Sequence, residues 1–424
     1  MEYLISLAII SMFVSFKLNL GLVQLRPFDA IAIVIFLIVL RQGALLKRLQ
    51  LGFLILVPYF LWHVTSAFTV STDNGLREGL QIALVAVFAY STASKLEDID
   101  YTKIARLILI GLCIITAFSI IWHINNGQWT GWKRLNDPKA TFTFLPLVLG
   151  LLVLFADPSE RRRHFFMWAI LAVIIFLSGE RKALVIYGLL TITLFSGGRI
   201  VRALPIIAAG YALVAFLAAT VTDPYLERQL RTFLEFGETY QSYEGIAQGV
   251  APVSLSNAQR IFTLHVSGEM IASNPILGVG TNAYTDLVRD RFAYLPDYML
   301  IGIHGEFLRI LAENGIVGFM LYLPIWIFSL LRTIKVLRLF AHAGIITEDQ
   351  IKILPVIPFL PCFFYTAFEA SGTHSFVVLI FISLLPEALY YALSQHGRKL
   401  KRRATTNPSE IALNGPDALP GDLI

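Results

Sequence analysis

Long blocks of apolar residues that are nearly free of charge constrain this chain more than any other feature of its sequence. Hydrophobic residues make up 56% and charged residues 15% of the 424 positions, whereas soluble globular chains carry about 25% charged residues. The blocks are roughly 20 residues long, which is the length of a helix that crosses the ~30 Å hydrocarbon core of a bilayer. The sequence therefore predicts an all-α polytopic membrane protein.

The apolar blocks predict about twelve transmembrane helices. The run after Met1 reaches Lys17 without a small-residue cleavage pattern, so it is interpreted as a span and not as a signal peptide. Cys113 and Cys362 both fall inside apolar blocks, which argues against a disulfide framework or a cysteine metal site. The predicted spans are 3–23, 27–40, 51–70, 78–94, 105–123, 141–156, 165–178, 183–198, 203–221, 315–331, 353–371 and 376–394.

The distribution of basic residues gives the predicted orientation. With the N-terminus in the cytoplasm, the inside segments hold more than twice as many Lys and Arg residues as the short outside segments, as the positive-inside rule requires. Both termini are therefore predicted to be cytoplasmic. The predicted divisions are nine spans in 1–221, a large outside loop at 222–310, the last three spans in 311–395 and a disordered tail at 396–424.

The first candidate for chemistry is the charged turn Gly179–Lys182 inside the predicted helical hairpin 165–198. The span before the turn is short for a ~30 Å core, so the turn is expected to lie below the outer surface. Charges held at that depth mark a functional site, and Arg181 and Lys182 suit a phosphate or pyrophosphate. The alternative is that both cations extend to the interface while Glu180 pairs with Arg181.

The second candidate lies in the stretch 254–284 of the long loop. Ser256 and Gln259 predict a capping box that opens a helix, and the glycine-containing segment 274–280 predicts its end and a tight turn. Arg260 is then expected in the first helical turn, where the helix dipole already attracts anions. It is a candidate for an anion site, and a solvated surface arginine is the alternative.

The third candidate follows where the loop returns to the membrane. His304 is a candidate general base, because imidazole can be neutral near pH 7; a passive interfacial histidine is the alternative. Glu306, Arg309 and Glu313 follow at helical spacing. They are predicted to form one charged stripe with local ion pairs.

Taken together, these stretches resemble the bacterial O-antigen ligase and O-antigen polymerase superfamily. The segment 178–184 is similar to its polar stretch with an arginine between two mid-chain spans. Arg260 followed by the turn 275–280 is similar to its loop arginine and glycine turn. His304 before the Leu-rich segment 308–318, with its Glu-x-Gly ending, resembles its third motif. The order of these motifs and the span count agree with the family, whereas Glu180 and Gly305 depart from residues that members often carry at those positions.

The resemblance implies a GT-C-like membrane glycosyltransferase. It would move a glycan from undecaprenyl pyrophosphate to an acceptor hydroxyl at the periplasmic face, with inversion and without a metal, a cofactor or a nucleotide sugar. Arg181 and Arg260 would hold the pyrophosphate and neutralise its charge as it leaves, while His304 would orient or deprotonate the hydroxyl. Residues expected to contact the substrate are Lys182, Arg134, Arg309 and Tyr284.

The implied partners follow from the same reaction. They are the lipid-linked donor, a glycan or lipid A–core acceptor, membrane lipid and other polysaccharide-assembly proteins, with no nucleic acid. The expected location is the bacterial inner (plasma) membrane. Ligase and polymerase differ in the acceptor, and the residues do not separate them; polymerase is preferred only because polymerases form the more varied branch. A further option within the family is transfer to protein hydroxyls.

A transporter or flippase of lipid-linked sugars is the alternative from another class. It predicts charged residues along several spans and two related halves, but the spans are nearly charge-free and show no internal repeat. Residues 98–100 match the short Asp-x-Asp pattern of some metal-dependent glycosyltransferases, but they lie in a predicted cytoplasmic loop. His265 and His374 are reserve candidates for the base, and His63 is interpreted as a satisfied polar residue near a helix end.

Overall fold

The computed structural model is built mainly of α-helices, as the apolar blocks predict. It describes residues 1–11, 18–20, 23–42, 51–127, 138–155, 158–178, 180–196, 204–205, 255–300, 302–368 and 372–406. The helices are α1 Glu2–Ser11, α2 Pro27–Arg41, α3 Leu51–Leu54, α4 Val57–Phe68, α5 Thr72–Ala93, α6 Tyr101–Asn125, α7 Pro138–Phe155, α8 Pro158–Ser178, α9 Arg181–Ser196, α10 Leu255–Ser273, α11 Ala283–Arg291, α12 Glu306–His342, α13 Glu348–Ile353, α14 Val356–Phe368 and α15 Gly372–Thr406.

Several of these helices have the length and composition of membrane spans. Among the described residues, five helical stretches are long and apolar enough to cross a bilayer. They are Leu51–Phe68, Tyr101–Asn125, Glu306–His342, Glu348–Phe368 and Ser375–Arg398. This confirms a helical protein with several candidate spans, and the total of about twelve stays a prediction.

The predicted first span, 3–23, is wrong as a continuous helix. The helix α1 ends at Ser11, and strands β1 Leu18–Leu20 and β2 Val23–Leu25 form an antiparallel hairpin. Asn19 and Gln24, two polar residues of these strands, pair with each other. The prediction failed because hydropathy averaged over a window conceals such single polar residues. The predicted ninth span, 203–221, lies outside the described residues except for positions 204–205.

Contacts between distant segments join helix ends that the charge distribution predicts on the same side. At the predicted cytoplasmic ends, the Gln395 side-chain amide donates to the Ile99 carbonyl (2.9 Å), and the Asp100 amide donates to Glu2 (3.4 Å). Arg332 pairs with Glu387 there. These contacts hold the predicted ends together, and the assignment of that side to the cytoplasm stays a prediction.

The last helix passes the predicted start of the tail. The helix α15 continues through Thr406, so the boundary predicted at 396 falls within it. The basic residues after 397 are compatible with a helix because they lie at its C-terminal end, where cations interact favourably with the dipole. Residues 407–424 lie outside the described part, and their disorder stays a prediction.

Candidate functional site

The predicted charged turn lies where α8 ends at Ser178 and α9 begins at Arg181. The Glu180 amide donates to the Ser178 hydroxyl (3.2 Å), which itself donates to the Ile175 carbonyl (2.6 Å). Glu180 is buried, and α9 begins at Arg181. However, α8 starts at Pro158 and has 21 residues, because its charged first turns extend the helix beyond its apolar stretch. The length of α8 therefore does not by itself hold the turn below the outer surface.

The C-terminal end of α14 joins this turn to the segment of His304. The Lys182 ammonium donates to the Phe368 carbonyl (3.1 Å). Gly305, directly after His304, packs on the preceding residue of α14: a Cβ atom at Gly305 would lie 2.6 Å from the Ala367 oxygen. The first and third motifs thus meet at one helix end. The side chain of Arg181 lies outside the described atoms, and its backbone adjoins Lys182.

Arg260 lies on a helix that shares a small core with the residues before His304. The helix α10 begins at Leu255, which puts Arg260 in the second turn and not the first as predicted. The predicted capping box is wrong, because Ser256 lies within α10 and the Gln259 side-chain amide donates to the Tyr298 carbonyl. We call the apolar cluster that α10 shares with the residues before His304 the loop core. Arg260 and His304 are both half-buried, and each is close in sequence to members of this core. Its buried members are Ala258, Phe262, Val266, Met270, Tyr284, Val288, Phe292, Leu295, Met299, Ile303 and Ala312.

The glycine turn of the second motif binds directly to the kink of the third. The amides of Val279 and Gly280 donate to the carbonyls of Ala312 (3.0 Å) and Glu313 (2.8 Å). In return, the amides of residues 316 and 317 donate to the carbonyls of residues 275 and 276, at 2.9 and 3.2 Å. The helix α12 is interrupted at Gly315 (φ 64°, ψ −168°). The two motifs therefore form one backbone-bonded unit. We call its loop part, residues 274–282, the docked turn.

Close backbone approach explains the glycines at this contact. Gly278 has φ 75° and Gly315 has φ 64°. A Cβ atom at Gly278 would lie 2.4 Å from the Glu313 carbonyl carbon, and one at Gly315 would lie 2.2 Å from the Ile276 oxygen. Glycine allows both the left-handed conformation and the short separation. The tight turn that the sequence predicts is confirmed, and its partner is the kink in α12.

Arg309 lies buried between two carboxylates at the start of α12. Its Nε and Nη2 donate to the two oxygens of Glu306 (2.9 and 2.5 Å), and its Nη1 donates to Glu313 (2.8 Å). All three side chains are buried. The predicted stripe of local ion pairs is confirmed. These bonds join the first turns of α12 to each other and hold the helix start next to His304.

A second buried pair, which sequence reasoning missed, supports the docked turn from α4 and α5. His63 Nε2 lies 3.3 Å from Glu78 Oε2, and the other Glu78 oxygen accepts from the Asn282 side-chain amide (2.6 Å). Thr281 donates to the His63 carbonyl (3.0 Å) and lies 3.1 Å from Asn314 Oδ1. One signal was available: Glu78 is an ionisable residue at the edge of a predicted span. The sequence did not show that one of its partners, Asn282, lies in the loop.

The remaining candidate residues have diverse positions. Tyr284 lies in the loop core, where burial and the nearby Glu313 charge raise the pKa of its phenol, so the hydroxyl stays protonated. His265 is exposed and lies 3.2 Å from Glu269. Asp100 caps α6 by accepting from the Lys103 amide (3.1 Å). Arg134 and the side chain of His374 lie outside the described part.

The comparisons with known proteins agree with the motifs. Residues 165–323 match the Wzy_C family model, which is described as O-antigen ligase. This range begins in α8 and ends in α12, so it contains the charged turn, Arg260, the docked turn and His304. No curated protein matches the chain. The resemblance stated from the sequence is confirmed over residues 165–323, which are similar to the O-antigen ligase domain of the Wzy_C family.

Proposed function

We propose that the protein is an inverting, metal-independent glycosyltransferase of the O-antigen ligase or polymerase type. Its donor is a glycan on undecaprenyl pyrophosphate, and its reaction takes place at the periplasmic face of the inner membrane. The observation that carries the proposal is the convergence of Lys182 and the His304–Gly305 segment on one end of α14. Both lie within the matched family range, 165–323.

The proposed site binds the diphosphate of the donor. Arg181 and Arg260 supply guanidinium groups, which form paired hydrogen bonds to phosphate oxygens. The N-terminal end of α9, which begins at Arg181, directs its first backbone amides and its positive dipole toward the same anion. Lys182 adds a further cation at the edge of the site. In this proposal the two guanidinium groups and the end of α9 neutralise the charge that develops on the leaving diphosphate, while Lys182 contributes to binding of the donor.

The proposed bond changes are a single displacement at the anomeric carbon of the donor glycan. The acceptor hydroxyl oxygen forms the new glycosidic bond, the bond from that carbon to the pyrophosphate oxygen breaks, and its electron pair leaves with the diphosphate. His304 accepts the hydroxyl proton. Attack from the side opposite the leaving group inverts the configuration of the carbon.

In this proposal the buried side chains act as a frame for the site. Arg309 and Tyr284 were expected to contact substrate, but both are buried, so we assign them to positioning and packing. Arg134 stays a prediction. The acceptor is a second lipid-linked glycan for a polymerase and a lipid A–core for a ligase. Transport of the lipid-linked glycan is the competing function, and it requires no covalent transfer.

The test is transfer in proteoliposomes from a defined lipid-pyrophosphate glycan to each acceptor, with and without EDTA. Arg181→Ala and Arg260→Ala are each expected to lower kcat about 10²–10³-fold, and His304→Ala about 10²–10⁴-fold. Activity should persist in EDTA. The controls are Arg289→Ala, an exposed arginine of α11, and His342→Ala, an exposed histidine at the far end of α12.

The outcomes separate the two functions and the site. Full activity in all three variants would reject the assigned site while leaving glycosyl transfer intact. Donor that crosses the bilayer without any product would support the transporter instead.

A further inference from the structure

The docked turn exposes two large apolar side chains side by side. Ile276 is 62% exposed and Leu277 is 59% exposed. The segment 270–285 contains no charged residue, whereas the flanking helices carry charges such as Glu269 and Asp286. A surface of this kind is unusual for a loop that meets only water, because large apolar groups gain free energy on leaving it.

The backbone of the docked turn fixes these side chains in their outward positions. In the first part of the turn, the carbonyls of residues 275 and 276 accept from α12, the second of them from the Val317 amide at 3.2 Å. In its later part, the amides of residues 279 and 280 donate to α12. Gly278 and Gly315 bring the two backbones into direct contact. Rotation of the turn to bury Ile276 and Leu277 would break this contact.

The exposed pair continues a surface that already belongs to a candidate span. On α12, directly after the kink, Ile316 is exposed and Met320 is 61% exposed. These residues begin the apolar part of the long helix Glu306–His342, one of the candidate spans. Because residues 316 and 317 bond to residues 275 and 276, the turn lies at the level where that part of the helix starts.

We propose that the docked turn inserts into the outer leaflet of the bilayer and that Ile276 and Leu277 contact lipid acyl chains. The loop is then attached to the membrane at a point outside its spans, beside the outer end of α4, where Gly280 packs against Val70. This attachment is independent of the proposed reaction. It is carried by the exposure of the pair and by its continuity with the lipid-facing surface of α12.

The chain offers matched positions for a depth measurement. Leu264, on α10, is 60% exposed and lies between Arg260 and Gly268 on that helix. It matches Ile276 and Leu277 in size and exposure but not in position. Met320 serves as the reference for contact with lipid. Single cysteines replace each of these residues in a background where Cys113 and Cys362, the native cysteines, are changed to alanine.

The experiment uses nitroxide labels on the full-length protein in phosphatidylethanolamine–phosphatidylglycerol vesicles. Power saturation compares the access of dissolved oxygen, which concentrates in lipid, with that of a nickel chelate, which stays in water. Labels at positions 276 and 277 are expected to behave like the label at 320: accessible to oxygen and protected from nickel. The label at 264 is expected to show the opposite ratio.

Two results would overturn the proposal. If the labels at 276 and 277 are as accessible to nickel as the label at 264, the turn lies in water. If they are shielded from both reagents and show label-to-label distances between chains, a second copy of the protein covers the pair. Should Ile276→Cys fail to fold, the adjacent Leu277→Cys, whose carbonyl and amide make none of the bonds to α12 given above, carries the measurement.

Discussion

The segment of His304 is held from two sides that differ in construction. On one side, which we call the network side, the docked turn, the start of α12 and the pair His63–Glu78 are joined by backbone bonds and buried charges. On the other, the hairpin side, α9 meets α14 through the bond of the half-exposed Lys182 to a carbonyl. The contrast separates a preformed frame from an edge that can respond to a bound ligand.

The network side is a preformed frame because Arg309, Glu306 and Glu313 are buried and the arginine is bonded to both carboxylates. A buried ion pair contributes little net stability against an apolar alternative, but loss of one partner is costly. Such a network therefore fixes one geometry more than it adds stability. The position of His304 depends on that geometry, because His304 lies just before α12 and Arg309 connects the first turns of that helix.

The hairpin side has a different energetic character. A lysine bond at a partly exposed position contributes little, because water competes for the same donors. Lys182 can therefore exchange the Phe368 carbonyl for a phosphate oxygen at low cost. Under the proposed function, the donor diphosphate would make this exchange.

Removal of Arg309 is expected to have the largest effect on stability. Arg309→Met keeps much of the volume but leaves Glu306 and Glu313 without their cation, so the free energy of unfolding should fall by about 3–5 kcal/mol. Unfolding in mixed detergent micelles, followed by circular dichroism, measures this change. Lys182→Met, which removes a cation on the hairpin side, is the matched control.

A triple variant distinguishes charge imbalance from lost packing. Glu306→Gln and Glu313→Gln in the Arg309→Met background remove the uncompensated carboxylates and should recover part of the stability. If the triple variant is as unstable as Arg309→Met alone, the arginine acts through its packing, and the network side is not held by charge.

Substitution of Gly315 is expected to have an intermediate effect. The backbone of Gly315 occupies a region that is almost confined to glycine, and a side chain there costs about 1–3 kcal/mol before any clash. Gly315→Ala adds a contact of 2.2 Å with the Ile276 oxygen, so the docked turn should separate from α12. Amide hydrogen exchange at residues 279 and 280, whose amides donate across this contact, measures the separation.

Gly268→Ala is the control for that substitution. Gly268 lies within α10, and a Cβ atom there would meet nothing within 4 Å. Alanine in a helix interior should raise stability by up to ~1 kcal/mol. Unchanged exchange at residues 279 and 280 in Gly315→Ala would show that the docked turn does not depend on the kink.

These features differ in how far the sequence predicted them. Local patterns were sufficient for the hairpin turn at Gly179–Lys182, for the glycine turn and for the ion pairs of Arg309, because each depends on residues a few positions apart. The pair of strands β1 and β2 was missed because average hydropathy does not distinguish a membrane span from a mainly apolar pair of strands.

Contacts between distant segments could not be predicted in the same way. No partner for the turn 275–280 could be predicted from the sequence, although its glycines predicted a tight turn. His63 was interpreted as a satisfied polar residue near a helix end, but Glu78 and the loop residue Thr281 were not identified as the groups that contact it. A local sequence pattern predicts the backbone conformation of a turn, but the segment that the turn contacts depends on how distant helix ends assemble.

Replacement of Lys182 is expected to have the smallest effect and tests the hairpin side directly. Lys182→Met should leave the free energy of unfolding nearly unchanged and raise KM for the lipid-linked donor about two- to fivefold, which corresponds to a contact of ~0.5–1 kcal/mol. Because the contact is made in the ground state and the transition state alike, kcat should be unchanged. Lys182→Arg keeps the charge and should restore KM. A large loss of stability in Lys182→Met would place the cation in the frame, and the distinction between the two sides would then be lost.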